Sequence, residues 1–200
     1  MSKLTDFMNM AAKQDFLVLD TETTGLHRGE IVQVAIIDLA GTVLLDRLVR
    51  PVFPIPADAT RIHGIQDSMV VDEDTWPDIV PLVREIIQGR DLVVYNAVYD
   101  RKMFHQSGEA AGLDHIEWKE IGRWWCAMEA YAEFYGEWNS YRRSYTWQSL
   151  TKACVQMGIE VHDAHSALGD CLMTLEVVKK MMTVSYKEAS KLCKSGLREV

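Results

Sequence analysis

The chain has 200 residues, of which 48% are hydrophobic and 25% are charged, and its formal net charge is −8. This length and composition are typical of one globular domain with its own core, which excludes a mainly disordered chain, a fibre and a disulfide-stapled scaffold. No segment approaches the roughly 20 apolar residues of a membrane span, and charges interrupt the N-terminal residues where a signal peptide would need an apolar stretch.

We therefore expect a cytoplasmic protein that makes no membrane contact. The net negative charge repels nucleic acid at long range. Any nucleic-acid site must then lie where cations neutralise the acidic residues locally. The residues do not indicate an oligomeric state.

The first half of the chain predicts the beginning of a sheet. Short apolar runs bounded by turn residues indicate strands over residues 16–20, 31–38 and 43–49. The segment 51–75 is expected to be irregular, because its prolines forbid a regular helix or a central strand. Apolar residues at helical spacing then predict a helix over 76–88.

The second half alternates predicted strands and helices. Apolar runs indicate a fourth strand over 91–95 and a fifth over 122–127. Helices are expected near 97–106, from 127 to about 135, over 147–157 and over 167–182, with a loop at 107–117 and a short basic helix or tail at 184–200. Three early strands followed by this alternation predict a mixed α/β sheet with helices on its faces.

Two acidic residues stand at the end of the first predicted strand. Side chains alternate along a strand, so Asp20 and Glu22 point to the same side of the sheet. A D-x-E triple is common by chance, but this one lies at the carboxyl end of a buried strand, where open α/β sheets bind ligands. The residues that follow, 23–26, offer hydroxyls, a glycine backbone that a substrate can approach closely, and one apolar side chain.

Two further acidic residues and a histidine follow later strands. Asp100 comes four residues after Asn96, so both lie on one helix face just beyond the fourth strand. Asp170 follows His165 by five residues, which places them on different faces of an ideal helix. We therefore expect His165 in the loop before the helix or in its first turn. Taken singly, these residues also fit ordinary surface or core positions.

Four converging carboxylates would destabilise one another's ionised forms unless a cation balanced them. Mg²⁺ suits such a site, because it is held by a few carboxylates and by substrate phosphate oxygens. Two ions about 3.5–4 Å apart clamp the attacking and leaving oxygens of a phosphoryl displacement. His165 is suited to accept the proton of the attacking water. We expect two divalent ions, Mg²⁺ in the first place, with Mn²⁺ able to substitute.

Three segments resemble, in order and spacing, the three motifs of the DEDDh (DnaQ-like) 3′→5′ exonuclease family. They are residues 20–26 (DTETTGL), 96–100 (NAVYD) and 165–170 (HSALGD). The resemblance covers a core of about residues 15–183 and is nearest to the exonuclease X group and the proofreading subunits of bacterial replicases. It implies one exonuclease domain over residues 1–200, with a ribonuclease-H-like mixed five-stranded sheet flanked by α-helices.

The resemblance also implies roles for individual residues. The metal ligands would be Asp20, Glu22, Asp100 and Asp170, and the general base His165. The terminal nucleotide would contact Thr23, Thr24, Gly25, Leu26, His63, Ile65, Asn96 and Tyr99. The evidence for His63 and Ile65 is that segment 61–65 resembles the family's segment facing the terminal nucleotides; the alternative is an ordinary loop with a turn at Gly64. Tyr95 and Tyr99 stand where the family often has His and Phe, and both keep the aromatic bulk.

The implied activity is hydrolysis of the terminal phosphodiester bond at the 3′ end of single-stranded or frayed DNA, with release of nucleoside 5′-monophosphates. Three alternatives remain open. One is an exoribonuclease of the RNase T or oligoribonuclease kind, since sugar choice depends on contacts to the 2′-hydroxyl that no residue here specifies. Another is a nuclease-fold binding module without catalysis. Such a module would lack at least one catalytic residue, whereas all five catalytic positions are filled here. The third is a proofreading role in association with replication or repair proteins.

The middle third of the chain is rich in aromatic residues with interleaved cations. Between residues 118 and 147 lie five tryptophans and four tyrosines. Aromatic faces and cations together are typical of single-stranded nucleic-acid binding, although core packing explains such residues equally well. Arg142 and Arg143, in a segment 136–146 that we expect to be mobile, are the leading candidates for a contact with the nucleic-acid backbone.

Overall fold

The structure is a computed structural model that describes residues 2–26, 28–161 and 164–184, and its centre is a five-stranded sheet. The strands are β1 (Phe16–Thr23), β2 (Ile31–Ile37), β3 (Val43–Leu48), β4 (Asp91–Val94) and β5 (Arg123–Cys126). Their order is β3-β2-β1-β4-β5. The pairs β1–β2 and β2–β3 are antiparallel, and the pairs β1–β4 and β4–β5 are parallel. This mixed sheet flanked by helices confirms the predicted fold class.

Helices cover both faces of the sheet. They are α1 (Lys3–Ala11), α2 (Ala57–His63), α3 (Asp67–Val70), α4 (Trp76–Ile87), α5 (Ala97–Ala110), α6 (Trp118–Ile121), α7 (Ala127–Tyr135), α8 (Leu150–Met157) and α9 (Ala167–Thr183). A separate two-stranded hairpin pairs β6 (Trp138–Asn139) with β7 (Ser144–Tyr145). None of the described helices is long and apolar enough to cross a membrane.

The central strand β1 shows how the sequence divides the core into two layers. Its side chains alternate, so Phe16 and Val18 pack with α1, α7, α8 and α9, whereas Leu17 and Leu19 pack with α4, α5 and α6. All four side chains are buried. Because the alternation continues to the end of the strand, the positions after Val18 with the same parity face the layer that contains α9.

Several predicted boundaries differ from the structure for local reasons. The segment 51–75 contains two short helices, α2 and α3, because its prolines all precede them and Pro56 occupies the position just before α2. The positive φ of Gly64 (76°) ends α2. Helix α5 extends to Ala110, so the predicted loop at 107–117 is shorter than expected. Helix α8 begins only at Leu150, after the Ser149 cap.

Helix α1, the short helix α6 and the β6–β7 hairpin were not predicted at all. Helix α1 packs against α7 and buries Phe7 and Met10. The segment 136–146, expected to be mobile, is a hairpin in which Trp138 and Tyr145 pair across the strands. The predicted basic helix or tail at 184–200 falls, apart from Val184, outside the described residues.

An ion pair between the buried Asp91 and the exposed Arg123 joins β5 to β4. Asp91, the first residue of β4, accepts hydrogen bonds from Arg123 Nε (2.8 Å) and Nη2 (3.0 Å) and from Trp125 Nε1 (2.8 Å). The hydrogen bond from Arg123 is the main cause that lowers the pKa of Asp91 below its ordinary value, and the bond from Trp125 adds to it, while burial opposes both. The ionised carboxylate is therefore the form that the fold stabilises.

We expect Asp91→Asn to lower the free energy of unfolding at neutral pH by about 2 kcal/mol, because a charge-assisted pair of hydrogen bonds is lost. The folded-state pKa is depressed, so this contribution is present above the ordinary carboxyl pKa and is lost as the pH falls below about 4. Urea unfolding of both proteins across that pH range measures it. Asp15→Asn, which removes an exposed ion pair with Arg90, is the matched control and should change little. A difference between wild type and Asp91→Asn that stays constant down to low pH would contradict the expectation.

Candidate active site

Three carboxylates from two elements meet at one end of the sheet. Asp20 and Glu22 project from β1 towards the layer containing α9, and Asp170 lies in the first turn of α9. Ser166 caps that helix by accepting a hydrogen bond from the Gly169 N–H (3.1 Å). One oxygen from each of the three carboxylates lies within 4.8 Å of the other two. The predicted shared orientation of Asp20 and Glu22 thus places both beside a third acidic side chain.

The fourth predicted ligand, Asp100, lines the same cleft, but it is not part of the group of carboxylates whose oxygens lie within 4.8 Å of one another. It lies in the first turn of α5, directly after β4, and is 3% exposed. Thr21 Oγ1 donates a hydrogen bond to Asp100 Oδ1 (2.8 Å). Thr21, between Asp20 and Glu22 in the chain, therefore orients the acidic side chain of the neighbouring element, a role that the sequence pattern did not reveal.

A cleft of about 180 Å³ contains the predicted catalytic residues. It is lined by Asp20, Thr21, Glu22, Tyr95, Asn96, Tyr99, Asp100, Leu150, His165 and Asp170. All five predicted catalytic positions are therefore brought together. Thr21, Tyr95 and Leu150 were not among the predicted site residues. Leu150 carries no sequence signal, because it reads as an ordinary helix residue.

Burial raises the pKa of every carboxyl group in the cluster, and repulsion between carboxylates adds to it at Asp20, Glu22 and Asp100. Burial is the main cause at Asp20, whose pKa lies well above its ordinary value, and the charges of Asp100, Asp170 and Glu22 add to it. Burial raises the pKa of Glu22 to about 8, again with repulsion from Asp170 and Asp100.

Burial is also the main cause of the raised pKa at the other two carboxyl groups of the cluster. Burial raises the pKa of Asp100 to about 7 against the opposing hydrogen bond from Thr21. Burial also raises the pKa of Asp170, against the opposing backbone hydrogen bond from His165. A bound cation would favour the ionised forms of all four groups. An all-carboxylate donor set suits a hard divalent ion better than Zn²⁺, which prefers His and Cys.

His165 lies on the exposed loop just before α9, as predicted. Its backbone is left-handed (φ 70°), and its N–H donates a hydrogen bond to Asp170 Oδ1 (3.2 Å). The imidazole lines the cleft beside the carboxylates. The backbone contact couples the position of the loop to the acidic side chain, and the side chain stays accessible to a substrate.

The turn after β1 forms the rim of the cleft. Thr23 Oγ1 and the Tyr99 hydroxyl share a hydrogen bond of 2.6 Å. Thr24 closes the turn with two hydrogen bonds to Glu30: its N–H donates to the Glu30 carbonyl (2.8 Å), and its Oγ1 accepts from the Glu30 N–H (2.9 Å). Gly25 has a φ of 139°, a conformation that favours glycine, and Leu26 is left 68% exposed.

Gly29 is a requirement of this turn that the sequence reading missed. A Cβ at Gly29 would lie 1.9 Å from the Gly25 carbonyl oxygen. Lys102 Nζ donates a hydrogen bond to the Leu26 carbonyl (3.2 Å) from α5. The turn that exposes Leu26 is therefore held from both sides.

The remaining predicted substrate-binding residues occupy different environments. Asn96 is the residue preceding α5 and lines the cleft. His63 ends α2, and its Nδ1 accepts a hydrogen bond from the Ile65 N–H (3.0 Å). Burial lowers the pKa of His63, the nearby Thr23 backbone opposes this shift, and the nearby His165 adds to the lowering. Ile65 is 4% exposed in a small core with Val32 and Val70, so a direct contact between Ile65 and a nucleotide stays a prediction.

Comparison with known proteins identifies the family. The sequence profile of the RNase T exonuclease family matches residues 17–178. The chain is 41% identical over 170 residues to an exonuclease of Escherichia phage 186, covering 83% of this chain and 87% of that protein. It is 30% identical over 172 residues to exodeoxyribonuclease 10 of Escherichia coli K12, covering 84% and 69%.

Solved structures agree with the sequence relatives. Exonuclease X in complex with 5′-overhanging duplex DNA superposes with a TM-score of 0.63 at 26% identity, covering 89% of this chain and 99% of that one. The nuclease domain of the DEDDh family member 3′hExo, at 16% identity and a TM-score of 0.64, shares the fold. The chain therefore belongs to the RNase T exonuclease family, in its DEDDh (DnaQ-like) group, and is a hydrolytic nuclease.

Proposed function

We propose that this nuclease is a metal-dependent 3′→5′ exonuclease acting on DNA, from which it releases nucleoside 5′-monophosphates. The observation that carries the proposal is the convergence of Asp20, Glu22 and Asp170 within 4.8 Å, in a cleft shared with Asp100 and His165. DNA is favoured because exodeoxyribonuclease 10 is named for that substrate and exonuclease X was solved with DNA. We propose that residues 1–200 form one exonuclease domain.

The carboxylates of Asp20, Glu22, Asp100 and Asp170 would hold two divalent ions, Mg²⁺ in the first place, with Mn²⁺ able to substitute. Such ions, when bound, lower the pKa of an attacking water and neutralise charge on the phosphate. The raised carboxyl pKa values support this assignment, because a bound cation would offset the burial and the repulsion that cause them.

His165 would act as the general base. Its imidazole takes a proton from water as the water oxygen forms a bond to the terminal phosphorus. The bond between phosphorus and the 3′ oxygen of the preceding nucleotide breaks, and that oxygen takes a proton from solvent, so the products are a nucleoside 5′-monophosphate and a strand with a new 3′-hydroxyl. The backbone hydrogen bond from His165 to Asp170 supports this role, because it ties the base to the metal-binding carboxylates.

The terminal nucleotide would lie on the rim of the cleft. The exposed Leu26 side chain offers an apolar surface for its base, and residues 23–25 offer backbone groups and hydroxyls. Tyr99, held by Thr23, and Asn96 border the same space. His63 and Ile65 stay in the proposed site as its outer edge.

The proposal is tested with 5′-labelled single-stranded DNA and RNA of matched sequence, with Mg²⁺ or with EDTA. The expected result is a metal-dependent ladder that shortens from the 3′ end on DNA, with little shortening of RNA. A ladder on RNA alone would favour an exoribonuclease, and no ladder on either would favour a binding module. Similarity to a DNA polymerase III epsilon subunit suggests an association with replication proteins. A pull-down with replicase subunits tests it.

A further inference from the structure

The β6–β7 hairpin and the residues directly after it expose an aromatic surface that the proposed chemistry does not use. Tyr141 is 96% exposed, Trp147 63% and Trp138 54%. Trp138 and Tyr145 contact each other edge to face, with centroids 5.2 Å apart. Large aromatic side chains usually contribute to a core, so three exposed ones within ten residues indicate a surface that contacts a partner.

The charge of this region is opposite to that of the whole protein. The 22 residues from Trp138 to Ile159 contain the cations Arg142, Arg143 and Lys152 and no carboxylate, whereas the chain carries a net charge of −8. Arg142, Arg143 and Lys152 are all exposed. The region is therefore a place where an anionic polymer avoids the general repulsion of the protein.

A buried glutamine ties the hairpin to the wall of the catalytic cleft. Gln148 Nε2 donates hydrogen bonds to Glu137 Oε2 (2.9 Å) and to the Thr146 carbonyl (3.2 Å), at the two ends of the hairpin. The Gln148 backbone carbonyl accepts a hydrogen bond from the Tyr95 hydroxyl (2.9 Å). Tyr95 and Leu150 both line the cleft, so the hairpin is fixed directly beside it.

We propose that residues 138–147, here called the arm, bind the single-stranded nucleotides that precede the terminal one, by stacking on Trp138, Tyr141 and Trp147 and by contacts of Arg142 and Arg143 with phosphates. Exposed aromatic faces interleaved with cations are the chemistry with which proteins hold single strands. The proposal rests on the proposed exonuclease function, and it adds a strand-binding surface outside the catalytic cleft.

The test compares a substrate that reaches the arm with one that does not. The first is a fluorescent single-stranded oligothymidylate, whose dissociation constant is measured in an Asp20→Asn background so that the strand stays intact. The second is the p-nitrophenyl ester of thymidine 5′-monophosphate, a single nucleotide that occupies only the cleft. Two double variants are used, Trp138→Ala with Trp147→Ala and Arg142→Ala with Arg143→Ala. The control is Arg47→Ala with Arg84→Ala, which removes the same charge from exposed positions on β3 and α4.

We expect the tryptophan variant to weaken oligothymidylate binding by at least about 25-fold, because stacking contributes about 5- to 150-fold per base and two stacking side chains are removed. The arginine variant should reduce the slope of log affinity against log salt by about 1.4, the value for two single-strand phosphate contacts. Hydrolysis of the ester, in the background with Asp20 intact, should stay within about twofold of wild type in both variants, because a surface pair of substitutions leaves the cleft unchanged.

The results separate the two proposals. Oligothymidylate affinity that is equal in both arm variants, the control and the parent would overturn the arm and leave the exonuclease proposal standing. Ester hydrolysis that falls as far as strand binding would also overturn it, since the arm would then act only by supporting the cleft. A wild-type protein that hydrolyses neither the ester nor DNA would overturn the exonuclease proposal, and with it the arm.

Discussion

Asp20→Asn should reduce cleavage of DNA by about 10³-fold or more. The substitution removes a carboxylate from the centre of the cluster, and divalent ions in such sites contribute several kcal/mol to the stabilisation of the transition state, at 1.36 kcal/mol per tenfold in rate. The asparagine has nearly the same shape, so the cleft itself should persist. Initial rates on 5′-labelled single-stranded DNA with saturating Mg²⁺ measure the effect.

The same variant should not lose stability in the absence of metal. Asp20 is buried among other acidic groups that raise its pKa, so replacing it with a neutral amide relieves repulsion. We expect the thermal midpoint in EDTA to be unchanged or higher, and the increase that Mg²⁺ gives the wild type to be lost or reduced. Asp72→Asn, at an exposed position in the turn after α3, is the control. Wild-type cleavage by Asp20→Asn would show that the site is assigned wrongly.

His165→Asn should lower kcat by about 10²- to 10⁴-fold, the usual contribution of a general base, and leave the affinity for DNA nearly unchanged. Asparagine is the appropriate replacement because the residue has a φ of 70°, and asparagine adopts this left-handed conformation more readily than alanine does. The backbone hydrogen bond to Asp170 is then kept. Single-turnover rates and DNA binding in the same buffer measure the two quantities.

A pH profile distinguishes a base from a positioning residue. If His165 accepts the proton, the wild-type pH–rate profile should contain a limb that His165→Asn loses. His115→Asn, at a histidine that stacks on His105 and bonds Glu117 away from the cleft, controls for the loss of an imidazole. A profile with the same shape in wild type and His165→Asn would rule out the proposed role.

The part of the site on β1 could be predicted because strand geometry is local. Once Phe16–Leu19 is recognised as a buried strand, the side chains of Asp20 and Glu22 must share one side. The position of His165 before α9 followed equally from the helical turn angle. That Asp170 would meet Asp20 and Glu22 came from the family resemblance, because spacing along the chain does not determine how α9 packs on the sheet.

Other features depend on packing that local pattern does not encode. A threonine such as Thr21 can bond many partners, and its choice of Asp100 depends on β1 and β4 lying side by side. The segment 136–146 is polar and aromatic and predicts no strand, yet Gln148 joins the ends of a hairpin there. The burial of Ile65 beside Ala59 of α2 depends on packing in the same way, and its assignment to the substrate stays a prediction from the resemblance.

The central claim, that the acidic cluster holds divalent ions, is tested most directly by anomalous scattering from crystals grown with Mn²⁺ and thymidine 5′-monophosphate. The account predicts two manganese peaks bounded by Asp20, Glu22, Asp100 and Asp170, with the phosphate between them and the His165 ring facing it. Crystals of Asp20→Asn should lose at least one peak. Manganese bound elsewhere, or no peak in the cleft while the nucleotide is present, would contradict the account.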